Sequence, residues 1–344
     1  MRCINSYGVS EVIGLVMIVM IAVSAISVIV FWGVPYMDSK KVSVRVDSAL
    51  TQFKTINDVI QRVSSEGINK SERVDFVTDA GYVNINKGER FILYYSVVGS
   101  KTDSFDFDIN HLEDQDEKSF TIHVIKIPSG WTTTSYTFIL NAYYLAPPNE
   151  KETQSNNNQI NSGGDYSFTF RRDLDIAVKI DVTIKGPPPD QLVGRIWLFD
   201  TGSISYDLST SSGTYSVVAE NEGVVRASSG SGYLYYTPKI YHKDNLFTLR
   251  ITRLQPSGPT GGSGMNTYKF LIKSDNSSVQ ENKMYIPINA GFKIEIYGDE
   301  RITDAWADYF TSKHGFNNAD DVLTLDGELY FTLVYSVCDV LLMV

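Results

Sequence analysis

The chain has 344 residues and a formal net charge of −10 at pH 7, from 30 Lys and Arg against 40 Asp and Glu. This length predicts one to three domains with enough residues to bury a full core. The acidic balance argues against a nucleic-acid partner, because phosphates are repelled by such a surface. The two cysteines, Cys3 and Cys338, exclude a disulfide framework and a cysteine zinc site, and four histidines leave little for a histidine metal site.

An uncharged apolar segment runs from Val12 to Val34. As a helix of about 23 residues it spans about 34 Å, enough to cross the ~30 Å hydrocarbon core of a membrane. A buried helix of a water-soluble protein is rarely apolar on every side for this length. A cleaved secretory signal peptide is the closer alternative, but its apolar core is normally ~7–15 residues. The segment therefore predicts a single retained membrane-spanning helix.

The residues before this segment read MRCINSYG, followed by VSEVIG. The arrangement resembles the class III signal peptide of archaeal type IV pilins, in which a prepilin peptidase removes a short polar leader and the apolar helix stays in the mature protein. The resemblance implies a leader over residues 1–8 and cleavage between Gly8 and Val9. It implies a single-pass cell membrane protein with its C-terminal region extracellular, or a cell-surface filament. The implied partners are the membrane, the prepilin peptidase and other pilin-like subunits, contacted through the N-terminal helix.

Glu11 is an unusual residue at the start of a membrane helix. A carboxylate near a helix N-terminus is favoured by the helix macrodipole, which is a purely structural explanation. The resemblance implies a second role, in which Glu11 pairs with the new N-terminal amine of a neighbouring subunit during assembly. Both explanations stay open at the level of sequence.

Helical periodicity continues beyond the membrane segment. Apolar residues recur at spacings of three and four from Val42 to Val63, which predicts an amphipathic helix. Pro35 is expected to kink the helix, and Gly67 to end it. The solvated face is expected to hold Lys54, Asn57, Asp58, Gln61 and Arg62. Residues 9–66 are thus predicted to form one transmembrane and spine helix.

The remainder of the chain is predicted to be a large antiparallel all-β region of sandwich-like packing, which gives an α+β fold class. A first β block is predicted over residues 67–185 and a second over residues 190–344, although a single domain is also consistent with the sequence. The stiff Gly-Pro-Pro-Pro connector at 186–189 sets that boundary. The polar stretch from Ala146 to Gly164 is expected to be an exposed loop, and Arg301–His314 the one helix of this region.

Strand candidates are read from alternation and from aromatic and β-branched content. They are Arg73–Thr78, Tyr82–Ile85, Arg90–Val98, Ser104–Asn110, Ser119–Ile127, Tyr136–Leu145, Tyr166–Arg171, Ile176–Ile184, Val193–Phe199, Gly213–Ala219, Gly223–Ala227, Tyr233–Tyr236, Leu246–Leu254, Thr267–Lys273, Gly291–Tyr297, Leu323–Leu325 and Leu329–Val344. Two further motifs, GTYSVVAENEGVVR at Gly213–Arg226 and AWADYF at Ala305–Phe310, resemble those of uncharacterised archaeal pilin-like surface proteins. That second resemblance implies no activity.

Catalytic motifs are absent from the sequence. The glycine-rich loops lack the Lys-Ser/Thr of a phosphate-binding loop, and there is no G-x-S-x-G or H-E-x-x-H pattern. We therefore expect no enzymatic activity and no cofactor. Calcium is the one metal for which oxygen ligands gather in the sequence, at Asn317, Asn318, Asp320, Asp321 and Asp326, although surface solvation explains the same residues.

Two N-x-S/T sequons, at Asn69 and Asn276, are candidate glycosylation sites and fit an extracellular face. Taken together, the sequence favours a pilin-like, membrane-anchored surface protein that assembles into or onto a type IV pilus-like filament as a minor or adhesive subunit. The alternative is a non-assembling single-pass surface protein whose β-domain binds a glycan or a protein partner.

Overall fold

A computed structural model of the chain describes residues 7–99, 102–113, 118–131, 137–145, 148–156, 160–170, 177–185, 190–211 and 213–343. The chain divides into two compact units, Met1–Ser48 and Ala49–Val344. The first six residues of the predicted leader, including Cys3, lie outside the described residues.

The first unit is helical. Helix α1 covers Tyr7–Val28, a π-helical turn covers Ile29–Gly33, and helix α2 covers Val34–Glu66 and so continues into the second unit. The amide of Val34 donates to the carbonyl of Ile29, the i→i−5 bond of a π-helix. The turn lies directly before Pro35, which has no N–H and whose ring would clash with an α-helical carbonyl four residues back. The interruption expected at Pro35 is thus a π-helical turn.

The part of α2 that belongs to the second unit is buried on its apolar face, as the periodicity predicts. Leu50, Phe53, Ile56, Ile60 and Val63 are all at most 2% exposed. The ring of Phe53 meets that of Phe76 edge-on, with centroids 5.3 Å apart. Gly67 ends the helix with a φ of 99°, a conformation that favours glycine.

Two residues assigned above to the solvated face of this helix are buried instead. Asn57 is 2% exposed and Gln61 is 8% exposed. The side-chain amide of Gln61 donates to the main-chain carbonyl of Glu222 at 2.9 Å. Gln61 thus forms an internal hydrogen bond rather than facing water, which its residue type alone did not indicate.

Within the described residues the second unit contains four sheets. The strands of the five-stranded sheet, in spatial order, are β1 (Ser71–Thr78), β18 (Asn266–Ile286), β22 (Leu329–Met343), β16 (Leu246–Pro256) and β15 (Tyr241–Lys243). Those of the six-stranded sheet are β14 (Ser231–Tyr236), β13 (Gly223–Ser228), β12 (Gly213–Glu220), β11 (Ser203–Thr210), β2 (Tyr82–Asn86) and β17 (Gly261–Ser263).

The largest sheet has eight strands. In order they are β20 (Asn317–Ala319), β21 (Val322–Leu325), β19 (Phe292–Tyr297), β3 (Arg90–Ser96), β10 (Gln191–Asp200), β9 (Ala177–Lys185), β6 (Thr137–Leu145) and β7 (Pro148–Asn156). The three-stranded sheet holds β4 (Asp106–Glu113), β5 (Lys118–Lys126) and β8 (Gly164–Phe170), and helix α3 covers Glu300–His314. The predicted helix and the predicted strands are therefore present, most of them within a few residues, but β18 continues to Ile286, well beyond the predicted end at Lys273.

The eight-stranded sheet carries a hydrophobic core on each face. In β3, Phe91 and Leu93 belong to one core, and Ile92 and Tyr94 belong to the other. The first core also contains α3, and the second is closed by the aromatic residues of β4, β5 and β8. A strand buried on both faces reads as a continuous apolar run, which explains the sequence FILYY in β3.

The predicted boundary at 186–190 does not separate two sheets. Strand β10 follows the connector and pairs with β9, which precedes it, and β19 pairs with β3. Residues from both sides of the boundary therefore alternate within one sheet, and the contacts group Ala49–Val344 as one unit. Residues 186–189 themselves lie outside the described residues.

Two further differences concern strand pairing. The stretch expected to be an exposed loop contains β7, an edge strand that pairs with β6. The described side chains of β7 are polar and are exposed or half-buried, whereas Ile160 in the same stretch is 1% exposed and belongs to the second core. The exposure was therefore predicted only in part, and the loop conformation was wrong. Among the described strands the pairing is antiparallel except between β16 and β22, where Leu246–Pro256 runs parallel to Tyr330–Val340.

Candidate functional site

The motif GTYSVVAENEGVVR forms the β12–β13 hairpin, and its turn is buried. Asn221 and Glu222 occupy the two central positions with φ of 44° and 62°, the left-handed conformations of a type I′ hairpin turn. Glu220, Asn221 and Glu222 are each at most 2% exposed. Hairpin turns ordinarily face solvent, so a buried turn that carries two carboxylates requires specific partners.

Glu222 joins this turn to the end of helix α2. One of its carboxylate oxygens accepts hydrogen bonds from the hydroxyls of Ser64 and Thr252, each at 2.7 Å. The guanidinium of Arg250 lies 3.7 Å from the same oxygen and donates to the main-chain carbonyl of Ser64. Burial raises the pKa of Glu222, and these donors oppose the increase. The turn therefore fastens the last two turns of α2 to the β-region.

Glu220 joins the same turn to helix α3. The indole N–H of Trp306, from the AWADYF motif, donates to one oxygen of Glu220 at 2.8 Å, and the amide of Glu89 donates to the other at 3.2 Å. The two motifs singled out in the sequence thus meet in the core. Glu89 accepts from the amide of Asp299, which caps α3 by accepting from the amide of Arg301.

Glu89 and Glu220 form a buried carboxylate pair. Burial, with the neighbouring charge of Glu220 as the second cause, raises the pKa of Glu89 to about 9. Burial raises the pKa of Glu220 to about 7. Glu89 also lines a cleft of about 320 Å³ whose wall includes Ser203, Asp207 and Arg301. The arrangement holds at least one proton at neutral pH, and of the two carboxylates Glu89 is the one that lines the cleft.

A larger cleft of about 820 Å³ lies beside the β20–β21 hairpin. Lys293 lines it and is paired with Asp106 at 3.1 Å and with Asp108. The hydroxyl of Tyr94 donates to Glu295 at 2.8 Å, and burial raises the pKa of that carboxyl. Lys293, Asp108 and Glu295, which line the cleft, are therefore bonded to partners within the protein.

The residues predicted as calcium ligands lie at this cleft or near it. Asp320 and Asp321 form the hairpin turn, with φ of 51° and 64°, and Asn318 also lines the cleft. The amide of Asn317 donates to Asp326 at 3.2 Å. Within the described part of the chain no group of three or more His, Cys, Asp or Glu side chains is placed to hold a metal ion.

The two sequons lie close together although they are far apart in the sequence. Asn69 is exposed in the turn between α2 and β1, and its amide donates to the carbonyl of Ser274 at 2.9 Å. Asn276 lies two residues further along β18, opposite Val337 of β22, and is half-buried. The structure therefore places Asn69 beside the β18 residue that lies two positions before Asn276.

The residues expected in processing and assembly lie at the beginning of α1. The helix begins at Tyr7, so the Gly8–Val9 bond and Glu11 are within helical backbone. From Ile13 to Val34 no residue is buried within the structure. This is the one helix in the described residues that is long and apolar enough to cross a membrane.

Sequence reasoning missed the buried carboxylates Glu89, Glu220 and Glu222. The only available signal was their position, since Glu220 and Glu222 directly follow the apolar run SVVA of a hairpin. Cys338 is buried, and burial raises the pKa of its thiol to about 12. Comparison of the chain with protein-family models, with characterised proteins and with solved structures found no match in any of the three.

Proposed function

We propose that this protein is a pilin-like, membrane-anchored surface protein that assembles into or onto a filament as a minor or adhesive subunit. The observation that carries the proposal is the uniformly apolar helix from Ile13 to Val34, exposed on every side, which continues into a helix whose far end is fastened in a β-region. A helix of this kind needs lipid or neighbouring apolar helices around it, because water does not solvate it favourably.

The docking of α2 supports the same proposal. A filament subunit has to transmit force between its helix and its outer domain, and the second half of α2 is buried and hydrogen-bonded at its end. In this proposal the β-region, with its sandwich-like packing, lies outside the cell. The nearby sequons at Asn69 and Asn276 are consistent with that side of the membrane.

The first experiment determines the N-terminus of the mature protein by mass spectrometry of membranes from its own cells. We expect a terminus at Val9. An intact Met1 would contradict processing of the pilin type, and a terminus beyond Val34 would show that the apolar helix is removed rather than retained.

The second experiment tests assembly. Glu11→Ala is expected to reduce the filament fraction released by shearing, measured by immunoblot and immunogold electron microscopy, while the protein still accumulates in the membrane. Glu66→Ala, an exposed carboxylate at the far end of α2, is the matched control and should leave the filament fraction unchanged. Equal filament fractions for both variants would leave Glu11 with the structural macrodipole role alone.

A further inference from the structure

Lys293 is a buried lysine that connects two sheets. It belongs to β19 of the eight-stranded sheet and is 8% exposed. Its ammonium donates to Oδ1 of Asp106 at 3.1 Å, to the main-chain carbonyl of Phe107 at 2.9 Å and to the carboxylate of Asp108. All three acceptors belong to β4 of the three-stranded sheet. The contact therefore joins Lys293 and Asp106, which are 187 residues apart in the chain, across two sheets.

The surroundings of this ion pair are largely apolar. The ammonium of Lys293 lies 5.6 Å from the centroid of the Tyr94 ring. Tyr94 and Phe107 are both buried in the second core, with their ring centroids 5.8 Å apart. A buried ion pair is costly because both charges lose their hydration. A reaction that turns the two charges into a neutral product removes that cost.

The two aspartates beside Lys293 differ in their exposure. The side chain of Asp106 is 22% exposed, and that of Asp108 is 46% exposed. Burial raises the pKa of Asp106, although the charge of Lys293 opposes the increase. An amine attacks a carboxylic acid more readily than a carboxylate, and only an uncharged amine has the lone pair to attack. Asp106 is therefore the better suited of the two aspartates to react with Lys293.

We propose that Lys293 and Asp106 join in an intramolecular amide bond. A proton passes from Nζ of Lys293 to Oδ1 of Asp106, which turns the ion pair into an amine and a carboxylic acid. The nitrogen lone pair then attacks Cγ, and the bond from Cγ to the protonated oxygen breaks. That oxygen takes a second proton from the nitrogen and leaves as water. The ion pair is thus converted into one amide and one water, without an oxidant, a reductant or an outside reactant.

The fold supplies the two conditions that this reaction needs. Strand packing holds the nitrogen in contact with the carboxyl group, and reacting groups held about 3–3.5 Å apart react as if in one molecule rather than by collision. Lys293 also lines the cleft of about 820 Å³, which gives the released water a path out. The amide would fasten the three-stranded sheet covalently to the eight-stranded sheet. The proposal does not depend on filament assembly.

The test is peptide mass spectrometry of the full chain, produced in a host without N-glycosylation, purified in detergent and digested with trypsin. The amide lowers the mass of the joined peptides by about 18 Da, the mass of one water, and fragment spectra identify the two joined residues. Lys293→Arg keeps the positive charge, but a guanidinium stays protonated and does not attack. Lys179→Arg is the matched control, since Lys179 lies 3.4 Å from Asp181, whose carboxylate is already paired with Arg195 at 2.8 Å.

We expect a joined peptide pair containing Lys293 and Asp106 in the parent and in Lys179→Arg, and none in Lys293→Arg. The parent is measured directly, so the result holds even if a variant fails to fold. Separate, unjoined peptides in the parent would overturn the proposal. A bond to Asp108 in place of Asp106, or a mass deficit that persists in Lys293→Arg, would overturn it as well. None of these outcomes bears on the mature N-terminus or the filament fraction.

Discussion

The buried pair Glu89–Glu220 makes the stability of the β-region depend on pH. Glu89→Gln keeps the size and the acceptor oxygen of the side chain and removes its ionisation. The pKa of Glu89 rises from 4.5 in a model peptide to about 9 in the fold. The folded protein therefore binds more protons than the unfolded chain between these values, and its stability falls as pH rises through them.

The size of the effect follows from linkage. Keeping Glu89 protonated at pH 7, where the unfolded carboxyl is ionised, costs about 1.4 kcal/mol for each pH unit above 4.5, or about 3 kcal/mol. Gln carries no such cost. The variant should therefore gain about 3 kcal/mol over the parent between pH 4 and pH 7, equivalent to about 6 °C for a region of this size.

The assay is thermal unfolding of the detergent-solubilised full chain, followed by intrinsic fluorescence at pH 4, 5, 6 and 7. Asp75→Asn is the matched control, since Asp75 is an exposed carboxylate on β1 and pays no comparable burial cost. The melting temperatures of Glu89→Gln and the parent should diverge as pH rises, and those of the control should not. A constant difference across the whole pH range would refute the reasoning.

Three further predictions concern single side chains. Glu222→Ala removes the acceptor for the Ser64 hydroxyl. We expect the free energy of unfolding to fall by about 2–4 kcal/mol and hydrogen exchange to become faster in residues 49–66. Unchanged exchange there would contradict the role of Glu222 in fastening α2. Trp306→Phe should lower the free energy of unfolding, measured by denaturant titration, by about 1–3 kcal/mol, because Glu220 loses its indole donor. An unchanged free energy of unfolding would mean that this hydrogen bond contributes little. Asn69→Gln should abolish one glycopeptide in the mass spectrum of the native protein. If the parent protein lacks that glycopeptide, Asn69 is not glycosylated.

The proposed function requires the membrane helix to be attached to the β-region, and the docking of α2 provides that attachment. The last turns of the helix are held by Glu222, and Arg62 forms a two-point ion pair with Glu72 of β1, at 2.6 and 2.8 Å. The contact between Arg62 and Glu72 is exposed and contributes little to stability. The buried contact is the one whose loss should separate the helix from the β-region.

The sequence by itself determined the elements whose signal is local. The apolar run from Val12 to Val34, the periodicity up to Val63 and the terminating Gly67 specify helices, because a helix forms all its main-chain hydrogen bonds with near neighbours. The same holds for α3. Strands with an apolar alternation or a continuous apolar core, such as β3, were likewise predicted.

The tertiary structure decided everything that depends on distant partners. Strand β7 has no apolar pattern, and its conformation comes from pairing with β6 along a sheet edge, where charged residues are favoured. The parallel pairing of β16 with β22 joins segments far apart in the chain, and no local pattern encodes it. Asn57 and Gln61 look solvated by residue type and are buried by the fold.

The candidate sites show the same division. The sequence supplied the sequons and the start of the apolar helix, because these are contiguous patterns. The pairing of Glu89 with Glu220 arises only when segments separated by more than a hundred residues meet. The net charge of −10 thus includes carboxylates of two kinds. Most face solvent, and a few are buried with raised pKa, because burial in a core is a property of the fold and not of the composition.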